Sequence, residues 1–185
     1  MILQELTVAL SAHRPSDARE FRHHEALIQL ISKGESCLSR DHYVPGHVTV
    51  SAFVVDPTRT RLALIFHKKL GRWLQPGGHL EPSDPGLEAA ARREVTEETG
   101  LSALRALGGI FDVDVHDIPA RPSEPAHSHF DVRFAFEASS DEARPSETEV
   151  GGFRWVPLDD LGRDPSLETD ESVLRAARKL GELLR

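Results

Sequence analysis

Three carboxylates, Glu94, Glu97 and Glu98, stand at i, i+3 and i+4, which puts them on one face of an α-helix at about 3.6 residues per turn. They precede Gly100, a residue type that ends helices. There the negative end of the helix dipole disfavours anions, and like charges at this spacing repel. A hard divalent cation would reverse the sign of both costs, so the trio reads as a metal site. The plainer reading is an exposed acidic helix end. In front of it, Gln75-Pro76-Gly77-Gly78 supplies adjacent glycines. These permit positive φ and let the backbone approach a metal or phosphate closely.

The helix that must carry these acids is well specified. Asp84 is a good N-cap and Pro85 suits the first helical position. The run from Leu87 to Arg93 has high helix propensity and no breaker. Leu87, Ala90 and Ala91 fall on the same side as the glutamates, giving a face that is small and apolar at one end and acidic at the other. Such a face can lie on a sheet and line a cleft.

Read together, Gly78 and Arg93-Glu94-Val95-Thr96-Glu97-Glu98-Thr99-Gly100-Leu101 resemble the Nudix hydrolase box, Gly-x5-Glu-x7-Arg-Glu-U-x-Glu-Glu-x-Gly-U, with U a bulky aliphatic residue. The second half matches throughout. In the first half Asp84 stands where the family has Glu, and eight residues rather than seven separate it from Arg93. The resemblance implies an α/β fold, a Nudix-like α/β/α sandwich with a mixed sheet. It implies a Mg²⁺-dependent enzyme, with Mn²⁺ as a substitute, that hydrolyses a diphosphate (P–O–P) linkage in a nucleoside diphosphate derivative. Glu94, Glu97 and Glu98 match the family's metal-binding glutamates, the Gly78 carbonyl a backbone ligand, and Arg93 the arginine that orients the box carboxylates. A free carboxylate must also take a proton from the attacking water. It could be a box glutamate or an acid of a later loop. Here that acid is Glu149, six residues before Trp155, with Glu147 as its competitor.

The chain has 10 histidines. His127 and His129 would share a face of a strand that Asp131 continues, and His116 ends the preceding strand. Three readings stand for His116, His127 and His129: hydrogen-bonded surface histidines, contacts to the substrate, or a zinc site. His13, His23 and His24 read as solvated surface.

Around these residues, Ile2 to Lys33 forms two amphipathic helical stretches broken near Pro15. Strands are expected at His47–Val55, Arg61–His67, Ala106–Val115, His129–Glu137 and Phe153–Val156, and a terminal helix at Ser172–Leu184. This divides the chain into an N-terminal helical extension, 1–42, and a hydrolase domain, 43–185. The extension could cap the domain, shape the pocket or mediate a homodimer. A net charge of −8 argues against nucleic acid as a partner and leaves small nucleotides, whose anionic groups a bound cation can receive. The single cysteine, Cys37, excludes an intrachain disulfide and agrees with a cytoplasmic setting. No stretch reads as a signal peptide or membrane span.

Two other functions compete with hydrolysis. A non-catalytic nucleotide-binding sensor on the same fold would be expected to lose box acids, and this chain keeps all three in the helix. An isopentenyl diphosphate isomerase would need a catalytic cysteine, and Cys37 precedes the first strand.

Overall fold

The computed structural model describes residues 1–146 and 148–185. In chain order these form α1 (Ile2–Ala12), α2 (Ala18–Ile31), β1 (Gly46–Val55), β2 (Arg61–His67), β3 (Arg72–Leu74) and β4 (Gly77–His79). There follow α3 (Leu87–Thr99), β5 (Leu104–Ala106), β6 (Asp112–Ile118), β7 (His127–Ala138), β8 (Phe153–Pro157) and α4 (Glu171–Leu183).

Strand β1 is buried on both faces along its length, which suits the middle of a sheet covered on two sides. It pairs in parallel with β7, from Gly46↔Ser128 to Val55↔Glu137. Its other edge takes β4 beside Thr49–Ser51 and then β2 at Val55. The outer edge of β7 carries β6 and β5, and β2 also pairs with β3 and β8. The sheet is therefore mixed, as expected. Val48, Val50, Ala52 and Val54 face a core built with α1, α2 and α3, through Leu6, Leu10, Leu27, Leu30, Leu87, Ala90, Ala91 and Val95. Phe53 and Val55 face the opposite core, closed by Val173, Ala176, Ala177 and Leu180 of α4. Helices thus cover both faces, and two of them precede the sheet.

The structure corrects three local expectations. Helix α3 begins at Leu87 rather than Pro85, and Gly86 at its N-cap offers no side chain. The Leu87 N–H donates instead to Glu5 Oε1 of α1 at 3.2 Å. Asp84 does not cap the helix because its carboxylate accepts from the Glu81 N–H at 2.7 Å and pairs with Arg93. The expected strand Ala106–Val115 is broken into β5 and β6, with Gly108 between them at φ 141°, a conformation reserved for glycine. The N-terminal histidines are not solvated surface. His24 is 8% exposed and its Nε2 donates to the Leu10 carbonyl at 3.0 Å. His13 bridges the Ile110 carbonyl (3.0 Å) and Glu20 (2.7 Å), and His23 Nδ1 accepts from the Val115 N–H at 3.1 Å. Helical spacing located the stretches, but the strand β6 they cover could not be seen locally.

A buried ionic network fastens α2 to α4. Glu20, with no exposed surface, accepts from Ser16, His13 and Lys179, the last at 2.6 Å. Asp112 of β6 accepts from both terminal nitrogens of Arg175, at 2.9 and 2.6 Å, and from Arg133 at 3.2 Å. Burial works to raise the Glu20 carboxyl, but hydrogen bonds from His13, Lys179 and Ser16 outweigh it and hold the group well below the usual carboxylate range. Charges so deeply buried are tolerated only when paired in this way.

Candidate functional site

Helix α3 ends at Gly100, whose φ of 75° places it in the left-handed region and whose N–H donates to the Thr96 carbonyl. In the turns before it, Glu94 and Glu98 are half-buried and Glu97 is exposed. Strand β4 runs past them. The Gly77 N–H donates to Glu98 Oε2 at 3.0 Å. A Cβ on Gly78 would lie 2.5 Å from Glu94 Oε1 and 2.7 Å from its Cδ. Neither glycine adopts positive φ. The pair is needed for close approach, which is one of the two reasons the sequence offered.

Arg93 organises this surface. Its Nε and Nη2 each reach a carboxylate oxygen of Asp84 at 3.0 Å, and Nη2 also donates to the His79 carbonyl at 2.9 Å. Its Nη1 donates to Glu94 at 2.9 Å and to Glu97 at 3.0 Å, so the expected i, i+4 pair is present. Burial works to raise the Asp84 carboxyl, and bonds from Arg93 and the Glu81 N–H overcome it, holding the group below its ordinary value. Asp84 thus links the β4–α3 loop to the box arginine despite the extra residue.

The acids on the helix have the opposite problem. Burial, with Glu94, Glu149 and Glu97 nearby, pushes the Glu98 carboxyl up to about 8, against the hydrogen bond from Gly77. Burial also raises Glu94, although Arg93 pulls it down. Arg93 supplies one positive charge to Glu94 and Glu97, while Glu98 is held by the Gly77 N–H. Three carboxylates that share one arginine, crowded against a backbone with no Cβ, fit a hard divalent cation. Glu149 is exposed in the turn before Val150, and its charge reaches Glu98. Glu147 lies outside the described residues.

The other face of β4 looks into a cavity of about 830 Å³, lined by His47, His79, His116, His127 and His129 among others. Sheet register assembles them. His116, His129 and His47 lie directly across from one another on β6, β7 and β1. In the next row of that face come Asp114, Asp131, Thr49 and His79. The rings of His47 and His129 are 4.8 Å apart, those of His47 and His127 5.0 Å, and those of His47 and His79 5.0 Å. His116 stands at the margin, its side chain 43% exposed and bonded to Asp114 at 3.3 Å. Burial, together with neighbouring imidazoles, lowers His79 to about 4 and His129 to about 2, and burial also lowers His47. Asp131 is saturated by Ser51 at 2.7 Å, Arg133 at 2.9 Å and Thr49 at 3.2 Å.

The structure therefore brings His116, His127 and His129 together. It adds His47 and His79, which sequence reasoning missed. The alternation His47-Val48-Thr49 assigns His47 to one face, but only the pairing of β1 with β7 reveals which histidines share it.

A family model described as the NUDIX domain matches residues 45–177, well over half of the chain. The chain belongs to the Nudix family. A Bacillus subtilis (strain 168) protein provisionally named 8-oxo-dGTP diphosphatase is 31% identical to this Nudix chain over 110 residues, covering 58% of this chain and 66% of that protein. Phosphatase NudJ of Escherichia coli (strain K12) is 32% identical over 92 residues, covering 48% and 54%. The chain thus spans between about half and two thirds of the length of these curated relatives. A Nudix-family hydrolase from Clostridium perfringens superposes with a TM-score of 0.56 at 27% identity, covering 75% of this chain and 98% of that one. The Nudix domain of Shewanella oneidensis NrtR, solved with ADP ribose, superposes with a TM-score of 0.56 at 18% identity, covering 85% and 98%. That likeness concerns the fold. Among the described residues, no helix is long and apolar enough to cross a membrane.

Proposed function

We propose that the chain is a Mg²⁺-dependent hydrolase that cleaves a P–O–P linkage in a nucleoside diphosphate derivative by attack of water. One observation carries this reading. Glu94 and Glu98 are half-buried and set against the backbone of Gly77-Gly78, and with Glu97 they have Arg93 as their cationic partner, bonded to Glu94 and Glu97. With Glu97 and the Gly78 carbonyl they make up the donors we assign to the cation. Bound there, Mg²⁺ (or Mn²⁺) would neutralise the diphosphate and acidify a water.

The chain's own residues would do the rest. Arg93 holds Glu94 and Glu97 in fixed orientation while Asp84 holds Arg93. Glu149, the exposed carboxylate nearest in its effect to Glu98, is our candidate to take the proton of the attacking water. The nucleotide would lie in the 830 Å³ cavity, with its diphosphate led past β4 toward the helix. Arg19 of α2 and Arg40 also line that cavity. We therefore take residues 1–42 as an extension that both caps the domain of 43–185 and shapes its pocket. Relatives named for 8-oxo-dGTP and for phosphatase activity agree with a nucleotide as substrate.

A panel of nucleoside triphosphates, nucleotide sugars and dinucleoside polyphosphates, with Mg²⁺ or Mn²⁺, tests the reading. Glu98→Gln should lower kcat by at least about 1000-fold, about 4 kcal/mol of barrier, without a lower Tm. Glu149→Gln should lower kcat at least about 100-fold with little change in KM. Near-normal turnover in Glu98→Gln would sink the ligand assignment. A nucleotide that binds in Mg²⁺ by calorimetry but is never hydrolysed would replace the enzyme with a sensor.

A further inference from the structure

We infer that His47, His127 and His129 form a second cation site, one that takes a divalent transition-metal ion of the zinc type, on the sheet face opposite the acidic helix. One ring nitrogen from each of the three lies within 4.8 Å of those of the other two. Hydrogen bonding selects which nitrogens are available. A carbonyl only accepts, so the His42 carbonyl at 3.2 Å fixes a proton on His47 Nδ1, and the Pro125 carbonyl at 2.8 Å fixes one on His127 Nδ1. The lone pair of each neutral ring is then on Nε2. In His47 that atom is buried and has no hydrogen-bond partner. A backbone carbonyl holding the far N–H of an imidazole is the usual device for orienting a metal-binding histidine. His129 stands across from His47 in the β1–β7 register, with its ring 5.2 Å from that of His127.

These groups favour a cation over an anion. Ring nitrogens this close, carrying lone pairs, repel one another and repel phosphate oxygens. An anion would need added protons on buried or half-buried rings that already crowd one another, whereas a metal ion needs none. Imidazole nitrogens suit zinc-like ions, while Mg²⁺ prefers oxygen. With bonds of about 2.1 Å, a tetrahedral ion asks for nitrogens about 3.4 Å apart. Side-chain rotation can draw the rings in from their present limit of 4.8 Å. The fourth position opens on the cavity, where water or a substrate oxygen can fill it. Gly77-Gly78-His79 would then separate two cation sites of unlike chemistry, one of oxygen donors and one of nitrogen donors.

The test uses untagged full-length protein stripped with chelator, titrated with Zn²⁺ alone by calorimetry and with Co²⁺ by visible absorption. One equivalent should bind at micromolar affinity or tighter. The Glu94→Gln/Glu98→Gln variant should keep this site, and His47→Gln/His127→Gln should weaken it at least about 100-fold, with an unchanged melt in the absence of metal. Should the histidine variant fail to fold, imidazole ¹⁵N resonances of the parent protein decide, since those of His47, His127 and His129 should move on adding Zn²⁺. Absence of saturable binding would overturn the inference. So would Zn²⁺ binding lost in the glutamate variant but kept in the histidine one, or those resonances responding to inorganic phosphate and not to Zn²⁺.

Discussion

Alanine at Gly78 and alanine at Gly77 should injure the protein in two different ways, although the positions are adjacent. At Gly78 the atoms nearest the new methyl belong to the Glu94 carboxylate, which must retreat from 2.5 Å to ordinary contact at 3.4 Å, about 0.9 Å. The carboxylate is the far end of a flexible side chain, and Gly78 has no positive φ to strain, so the fold should absorb the change within about 1 kcal/mol. The catalytic geometry should not. Misplacement of a ligand by about 1 Å costs roughly 100-fold in rate, about 2.7 kcal/mol of barrier. At Gly77 the methyl would lie 2.6 Å from the Val50 carbonyl oxygen and 2.7 Å from Ser51 Cα. These are backbone atoms of the central strand, and they cannot step aside without opening the β1–β4 pairing. That should cost about 3 kcal/mol, which in a chain of this size lowers Tm by roughly 6–12 °C. Thermal unfolding and kcat/KM on the best substrate, measured for both variants, separate the effects. A Gly78→Ala protein with rate within threefold of the parent would refute the placement of Glu94. One that melts as early as Gly77→Ala would refute the account of the contact.

Asp84→Asn should cost roughly 2 kcal/mol in urea unfolding, since it removes the charge from one side of a bidentate pair with Arg93 whose aspartate side chain is 4% exposed. Removing the α3 cap with Glu5→Ala should lower stability by about 1 kcal/mol, read as a modest drop in Tm. Asp56 is fully buried. Burial works to raise its carboxyl, but bonds from Thr58, the backbone N–H groups of Arg61 and Thr60, and the Arg61 side chain lower it from 3.8 to about 2. A depressed folded value means stability present above the unfolded pKa and lost as pH falls through the folded one. Asp56→Asn should therefore be roughly 2 kcal/mol less stable at pH 7, and the gap should close between pH 3.8 and about 2 in denaturant titrations.

What the sequence made legible was local. Glu94, Glu97, Glu98 and Gly100 identify themselves through helical spacing, and the Arg93–Glu97 pair follows from the same spacing. Strand β1 was readable from its β-branched residues. The misreadings came where distant chain competes with local preference. Asp84 has the right type and place for an N-cap, but Arg93 offers its carboxylate a charged partner and Glu5 takes over the cap from 82 residues away. His47 lies opposite His129 only because β1 and β7 run parallel in one register, and no window of sequence contains that fact. The N-terminal histidines looked solvated because the strand edge and ionic network that bury them lie elsewhere in the chain.

The Glu20–Lys179 contact joins residues 159 positions apart, and that separation bears on the order of folding. Helix α2 has its own hydrogen bonds early, yet its buried carboxylate remains without its lysine until α4 is synthesised and docked. Until then Glu20 has only His13 and Ser16 to offset its burial, so α2 is held on the sheet less firmly than in the finished fold. Contacts of such long sequence separation slow folding, because loop closure must precede any gain. During synthesis, therefore, α1 and α2 should remain loosely attached and sensitive to protease, and should become protected only together with α4.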